Sequence, residues 1–239
     1  MNPEKGSLGQ IAESLKALGM EDITEVFGFF EEKEEVTERI SPEKDSFKQI
    51  AETLKSLGIG GITEALVEEV ADNCRRLPSK EFFYRATSLL SLLGSGTTDF
   101  STLKWSPSTN GVYAFDAEVS GLDEMYTNFL RGISALNEEE LAFQNIQEDL
   151  SGVDQRSGAG MRRVSFNWNE ASHSLEVEEQ GDWFNMQFAR DLGQIIQESG
   201  TGKRLYYTPD GYQGCIFFYR APDWAAAFQR ELGFPLSVL

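Results

Sequence analysis

Two stretches of this sequence repeat one pattern, and they decide the fold that we predict. "RRVSFNWNEASHSLEVEEQGDW" at 162–183 aligns without a gap to "KRLYYTPDGYQGCIFFYRAPDW" at 203–224. Each stretch has two runs of alternating apolar and polar residues around a turn, which is typical of paired β-strands with one buried face. Each then passes through Asp-Trp into a helical pattern. The repeated unit is therefore predicted to be strand, turn, strand and helix.

A weaker third unit precedes these two. "STLKWSPSTNGVYAFDAEV" at 101–119 predicts two strands, and residues 122–137 predict a helix. Residues 141–150 fit a strand or a short helix, and we favour the strand. Because each helix returns the chain to another hairpin, we expect an α+β domain over residues 79–239. Its mostly antiparallel sheet would have six or seven strands, with the helices on one face.

The N-terminal part of the chain contains a second duplication. "PEKGSLGQIAESLKALGMEDITE" at 3–25 aligns without a gap to "PEKDSFKQIAETLKSLGIGGITE" at 42–64. Apolar residues recur in each copy at the spacing of an amphipathic helix, and Gly19 and Gly58 follow where a left-handed residue would end that helix. A second helical pattern follows each glycine. We therefore predict two duplicated, acidic helical hairpins over residues 1–78, packed on the rest of the chain or on a partner.

Charge and hydropathy exclude several classes of partner and compartment. The chain has 39 acidic and 21 basic side chains, for a formal net charge of −18. Such a surface repels phosphate backbones and anionic lipids, so we predict neither nucleic-acid nor membrane binding. The sequence has neither an apolar run of about 20 residues nor a signal-peptide pattern at its start. We expect an acidic, cytoplasmic protein of bacterial type.

The sequence offers little catalytic chemistry. His173 is the single histidine, so a multi-histidine metal site is excluded and any histidine-based triad would depend on this one turn residue. Cys74 and Cys215 fit buried free thiols. "ESGTGKR" at 198–204 lacks both the first glycine and the Ser/Thr of a phosphate-binding loop. We therefore predict no catalytic residue, no metal site and no cofactor, and we favour a protein that is not an enzyme.

One difference between the two strand-strand-helix repeats suggests a binding site. Aligned outward positions are polar in the first repeat and mostly aromatic in the second, where they include Tyr206, Phe217 and Tyr219. In one interpretation, this hairpin is central and its far face is covered, for example by the N-terminal helices. In the other, the face is an exposed recognition patch. The candidate patch consists of Tyr206, Tyr212, Phe217, Tyr219, Arg204 and Arg220.

These observations favour a protein that acts by binding another protein. The expected role is accessory, inhibitory or immunity-like, with the negative surface steering a basic partner and the aromatic patch providing affinity. One alternative is a small-ligand-binding protein or enzyme with a cleft between the helical arm and the sheet. The residues to examine in that cleft are Asp210, His173, Glu176 and Arg204. A second alternative is a structural protein that forms oligomers.

Overall fold

A computed structural model provides the structure of the chain. It describes residues 47–74, 82–102, 104–119, 124–154, 156–234 and 236–239. These described residues belong to one compact unit. The first copy of the N-terminal duplication, and with it the first predicted helical hairpin, lies outside the described residues.

The described part of the chain is a mixed α+β structure, as predicted. Its helices are α1 (Phe47–Ser56), α2 (Glu64–Cys74), α3 (Phe82–Gly94), α4 (Met125–Ser134), α5 (Met186–Glu198) and α6 (Pro222–Leu232). Its strands are β1 (Thr97–Asp99), β2 (Lys104–Ser106), β3 (Tyr113–Asp116), β4 (Gln144–Asp149), β5 (Met161–Trp168), β6 (Ala171–Glu178), β7 (Arg204–Pro209), β8 (Gly214–Arg220) and β9 (Ser237–Val238). None of these helices is both long enough and apolar enough to cross a membrane.

The strands pair antiparallel but form three sheets, where we expected one. The sheets have the orders β1-β2, β3-β8-β7-β9 and β4-β5-β6. The C-terminal strand β9 pairs with the second edge of β7, through Tyr206 opposite Val238 and Tyr207 opposite Ser237. Because that edge is already occupied, β6 cannot join β7, and the two predicted hairpins lie in separate sheets. Residues 144–149 form a strand, as we favoured.

The four-stranded sheet has helices on both faces, which corrects the expected one-sided arrangement. Side chains on one face, among them Ile216 and Phe218, pack in a core with α1, α2, α3 and α6. Side chains on the other face, among them Leu205 and Phe217, pack in a core with α4 and α5. The reason lies in β8, which is apolar at successive positions and so has two faces to bury.

The sheet β4-β5-β6 has one buried face and one polar face. Val164, Phe166 and Trp168 alternate along β5 and are buried in the core that contains α4 and α5. On the opposite face, Arg163 of β5 forms an exposed ion pair with Glu176 of β6. The predicted alternation of this hairpin is therefore observed, because its two strands have only one apolar face to bury.

Helices α1 and α2 belong to the same compact unit as the sheets. Gly58 follows α1 with a φ of 75°, the left-handed conformation expected at that position. Ile50 and Leu54 of α1 are buried in one core with Phe218 and Phe228. The Trp224 indole N–H also donates to the Leu57 carbonyl over 2.6 Å. Helix α1 therefore packs against α6 and strand β8.

Candidate functional site

The register of β7 and β8 places the expected aromatic patch on two opposite faces. Tyr206 pairs with Phe218, and Tyr207 pairs with Phe217. Directly opposed residues of an antiparallel pair share a face, so Tyr206 faces one core while Phe217 and Tyr219 face the other. The patch does not form as one surface.

Turn length explains why the ungapped alignment predicted the wrong face. The pair Trp168 and Ala171 closes the β5–β6 turn around two residues, whereas Pro209 and Cys215 close the β7–β8 turn around five. Because side chains alternate along a strand, an odd difference in turn length reverses the face of the strand that follows. The longer turn is held by Asp210, whose carboxylate accepts hydrogen bonds from later residues of the same turn.

Burial removes three of the six candidate residues from the surface. Tyr206, Phe217 and Tyr219 are 4%, 0% and 1% exposed, so they cannot contact a partner without unfolding. The rings of Phe217 and Tyr113 stack with their centres 5.9 Å apart. The covered-face interpretation describes these residues, and the covering elements include helices α3 to α6.

The other three candidate residues lie nearer the surface but do not form a patch. Tyr212 is 70% exposed in the β7–β8 turn. Arg204 and Arg220 are directly opposed at the far end of the same hairpin. The Arg220 guanidinium lies 5.3 Å from the Trp224 ring centre, and burial lowers its pKa. The hairpin therefore separates Tyr212 from the two arginines.

The residues of the alternative cleft are also separated. His173 lies on the face of β6 that stacks on Phe166, with ring centres 5.3 Å apart. Glu176 lies on the opposite face, where it binds Arg163. Asp210 holds its own turn, and Arg204 begins β7. These four residues therefore do not converge on one cleft.

A pocket of about 380 Å³ lies at the turn end of β5 and β6. We call it the acidic pocket. The described residues that line it include three glutamates and no lysine or arginine. The residues that matter most to its chemistry are Glu139, Glu140, Glu170, Asn167, Asn169 and Trp168. Pockets of about 300 Å³ and more are large enough for a small ligand or a single side chain.

Glu140 is held in place by three groups that bind its two carboxylate oxygens and its backbone carbonyl. The Tyr219 hydroxyl donates to Glu140 Oε2 over 2.9 Å, and the Lys203 ammonium binds Glu140 Oε1. The Trp168 indole N–H donates to the Glu140 carbonyl over 2.8 Å. The hydrogen bond from Lys203 lowers the pKa of Glu140, with smaller contributions from Tyr219 and from the Lys203 charge. Glu140 is therefore a fixed negative group in the pocket wall.

Tyr219 supports this wall from the interior of the protein through its hydrogen bond to Glu140. Burial raises its pKa to about 12, and the neighbouring Glu140 carboxylate acts in the same direction. Its hydroxyl lies 2.9 Å from the Thr201 hydroxyl, and Lys203 lies 5.3 Å from its ring centre. A residue of the candidate patch is therefore an internal support of the acidic pocket.

The β5–β6 turn presents two residues in the left-handed region. Asn169 and Glu170 have φ values of 50° and 63°, which fits a two-residue hairpin turn. Asparagine accepts this conformation readily, whereas glycine is usual at the second position. Glu170 stands at that second position and is exposed at the rim of the pocket. The turn therefore places a carboxylate in a strained backbone conformation beside the pocket.

The pocket has three carboxylates, and the Lys203 ammonium neutralises one of them, Glu140. Two negative charges therefore remain at the pocket. Both belong to exposed side chains, Glu139 and Glu170. Such a site attracts a cationic group, and its asparagines can accept further hydrogen bonds. Within the described residues, no group of three or more His, Cys, Asp or Glu side chains is arranged to hold a metal ion.

A second ionic cluster is buried and has a structural role. Arg162 Nε donates to Glu179 over 2.8 Å, and Arg162 Nη1 donates to Glu148 over 2.7 Å. The other oxygen of Glu148 accepts from the Thr127 backbone N–H over 2.6 Å near the start of α4. All three ionic side chains are almost fully buried. The cluster joins α4, β4 and β5, and its charges face one another.

Sequence reasoning missed the acidic pocket because its walls come from distant segments. The run "NEEEL" at 137–141 contributes Glu139 and Glu140, and the turn after β5 contributes Glu170. Pairing of β4 with β5, with Gln144 opposite Asn167, brings the two segments together. The acidic run next to a predicted hairpin was the one pattern that could have indicated the pocket. The same run is equally typical of a solvated surface.

Comparison with known protein families, with curated proteins and with solved structures found no match for this chain. The geometry and charge of the acidic pocket therefore carry the functional argument.

Proposed function

We propose that this protein binds a basic partner protein without acting on it chemically, in an accessory, inhibitory or immunity-like role. In this proposal, the acidic pocket receives a lysine or arginine side chain of the partner. The observation that carries the proposal is the lining of the pocket, where Glu139, Glu140 and Glu170 surround a space of about 380 Å³.

The net charge supports a basic partner. A formal charge of −18 creates a negative potential around the whole molecule. Complementary charge raises the rate of encounter with a basic protein, and like charge excludes acidic competitors. The wider surface therefore favours the same class of partner as the pocket.

The pocket wall is already ordered before a ligand arrives. Lys203, Tyr219 and Trp168 hold Glu140 from three directions. Glu139 and Glu170 are exposed and can approach a cation. A preformed site loses less conformational entropy on binding, so more of its interaction energy appears as affinity. Trp168, Ala142 and Ala171 provide apolar wall for the methylenes of a lysine or arginine.

A free organic amine is a second candidate ligand. The volume of about 380 Å³ is within the range of pockets that bind small molecules. This candidate has the same charge requirement but needs no contact outside the pocket. If a free amine is the ligand, a single lysine derivative would bind as tightly as a longer peptide that contains lysine.

Peptide binding tests the proposal directly. The probe is acetyl-Gly-Lys-Gly-amide at low salt, measured by calorimetry against the same peptide with norleucine in place of lysine. We expect the lysine peptide to bind and the norleucine peptide to bind at least about tenfold more weakly, because only lysine supplies a charge. Equal binding of the two peptides contradicts the proposal.

A matched pair of variants localises the binding. Glu139→Gln/Glu170→Gln removes two negative charges from the pocket, and Glu68→Gln/Glu69→Gln removes two from the exposed side of α2. We expect the pocket variant to lose most of the lysine-peptide affinity and the α2 variant to keep it. Equal losses would show that binding depends on net charge alone.

A further inference from the structure

Strand β6 is a long, regular strand at the edge of its sheet. It pairs with β5 through eight successive residue pairs without a register shift, from Met161 opposite Glu178 to Trp168 opposite Ala171. The sheet order is β4-β5-β6, so within the described residues β6 has a partner strand on one side only. Such an edge is a template for pairing with another chain.

The other edges among the described strands are short or irregular. Strands β3 and β9 have four and two residues, and β1 and β2 have three each. Strand β4 has a register shift between Gln144 and Gln147, which is a common protection of edges. Strand β6 contains no proline, no lysine and no bulge. It is therefore the described edge that is most open to strand addition.

Alternate residues of β6 point their backbone N–H and C=O groups toward the unpaired edge of the strand. The Glu179 N–H donates to the Gly160 carbonyl on the β5 side over 2.9 Å. The Glu178 carbonyl instead points away from β5 and accepts a hydrogen bond from the side-chain amide of Asn185 over 3.1 Å. By the alternation of an antiparallel strand, Ser172, Ser174 and Glu176 also point their backbone groups outward. Within the described residues, no backbone group meets those three on the outward side.

Charge selects the occupant of this edge. Residues 170–180 contain four glutamates and no lysine or arginine. Glu176 and Glu179 pair with Arg163 and Arg162 of β5, which leaves the charges of Glu170 and Glu178. A second copy of the chain would bring the same glutamates and a net charge of −18 to the edge, so self-pairing is opposed by repulsion. An extended segment with lysine or arginine at alternate positions instead places a positive side chain beside Glu178, which has no ion pair among the described residues.

We infer that β6 binds an extended, basic segment of the partner protein as an additional antiparallel strand. The inference rests on the proposed function, since the segment belongs to the same partner. Ala171 and Ser172, at the start of β6, also line the acidic pocket. A segment paired along β6 therefore ends at the pocket and can place a basic side chain in it. Backbone hydrogen bonds supply affinity, and the pocket supplies specificity.

A short peptide tests the inference on the full chain. The probe is acetyl-Lys-Val-Lys-Val-Lys-Val-Lys-amide at low salt, with amide hydrogen exchange read by NMR. We expect exchange of the Ser172, Ser174 and Glu176 amides to slow by about tenfold or more when the peptide binds. The matched probes are two peptides of the same sequence. One is N-methylated at the backbone of its lysines and the other at the backbone of its valines, so each has one edge that cannot donate hydrogen bonds. One of these two methylated peptides must lose the protection, because it cannot donate to β6.

Two variants separate this inference from the proposed function. Ser174→Pro removes an outward N–H that β5 does not use, and Glu139→Gln/Glu170→Gln removes the pocket charges. We expect Ser174→Pro to remain folded and to lose the slowed exchange at β6, whereas the pocket variant keeps it with weaker affinity. If only Ser174→Pro binds like the wild type, strand addition is wrong and the pocket proposal stands. If only the pocket variant binds like the wild type, the pocket proposal is wrong and strand addition stands.

Two further outcomes overturn the inference. One is failure of the wild-type chain to bind the peptide at all. The other is a wild-type dimer in sedimentation that Ser174→Pro converts to a monomer, since the edge would then belong to a second copy.

Discussion

The Tyr219 hydroxyl donates a 2.9 Å hydrogen bond to the Glu140 carboxylate and so joins the buried strand β8 to the wall of the acidic pocket. Tyr219 is 1% exposed, and Glu140 is half-buried at the pocket surface. The aromatic interior and the charged pocket are therefore one connected arrangement. A change in either residue is expected to affect the other.

Removing the Tyr219 hydroxyl should destabilise the fold modestly. Tyr219→Phe leaves Glu140 without one of its donors, and loss of such a hydrogen bond costs about 1–2 kcal/mol of unfolding free energy. Urea denaturation measures the change. Tyr212→Phe is the matched control, because the Tyr212 ring is 70% exposed, and it should leave the stability unchanged. Equal effects of the two variants would contradict the role given to Tyr219.

Glu140 should titrate below the ordinary glutamate pKa of 4.5. Because Lys203 favours the charged form in the folded chain, this stabilisation is complete above pH 4.5 and is lost as pH falls through the lower folded pKa. NMR of the carboxyl carbon measures the titration. Lys203→Met should raise the Glu140 pKa toward its ordinary value. A wild-type pKa at or above 4.5 would show that the ion pair is absent in solution.

The two adjacent arginines of β5 should differ strongly in their contribution to stability. Arg162→Met leaves Glu148 and Glu179 charged and buried, which costs about 3–5 kcal/mol. Arg163→Met breaks only the exposed pair with Glu176, which is worth about 0–1 kcal/mol. Urea denaturation of both variants provides the comparison. A change of less than about 1 kcal/mol in Arg162→Met would mean that its carboxylates are solvated rather than buried.

Two phenylalanines give the sharpest test of the burial pattern. Phe217 is 0% exposed in the core, whereas Phe100 is 86% exposed between β1 and β2. Phe217→Ala should lower the free energy of unfolding by about 3–5 kcal/mol because it leaves a cavity. Phe100→Ala makes the same chemical change at the surface and should stay within about 0.5 kcal/mol. If Phe217→Ala were as mild, the face of β8 that contains Phe217 would be exposed rather than covered by α4 and α5.

Local patterns predicted the elements of this fold well. The alternation of Val164, Phe166 and Trp168 predicted β5 and its buried face, and Gly58 was predicted to end α1 in the left-handed region. These features depend on neighbours in sequence, so the sequence is sufficient to predict them. The α+β class follows from the same local patterns.

Features that depend on distant segments could not be predicted in this way. The two residues of β9 occupy an edge of β7 and so divide the expected single sheet, yet "SV" has no strand signal of its own. The turn after β7 has five residues, whereas its repeat counterpart has two, and this odd difference reversed the face of β8. Hydrogen bonds to Asp210 stabilise the longer turn. The acidic pocket likewise exists only after Glu140 and Glu170 are brought together by the pairing of β4 with β5.

The most direct test of the central claim is an NMR titration of the chain with acetyl-lysine-amide, followed at the indole N–H of Trp168. This N–H donates to the Glu140 carbonyl in the wall of the pocket. We predict a saturable shift of the Trp168 indole signal, much smaller shifts of Trp105, Trp183 and Trp224, and loss of the response in Glu139→Gln/Glu170→Gln. A Trp168 signal that stays constant, or that shifts equally in the pocket variant, would contradict the assignment of the pocket as a cation-binding site.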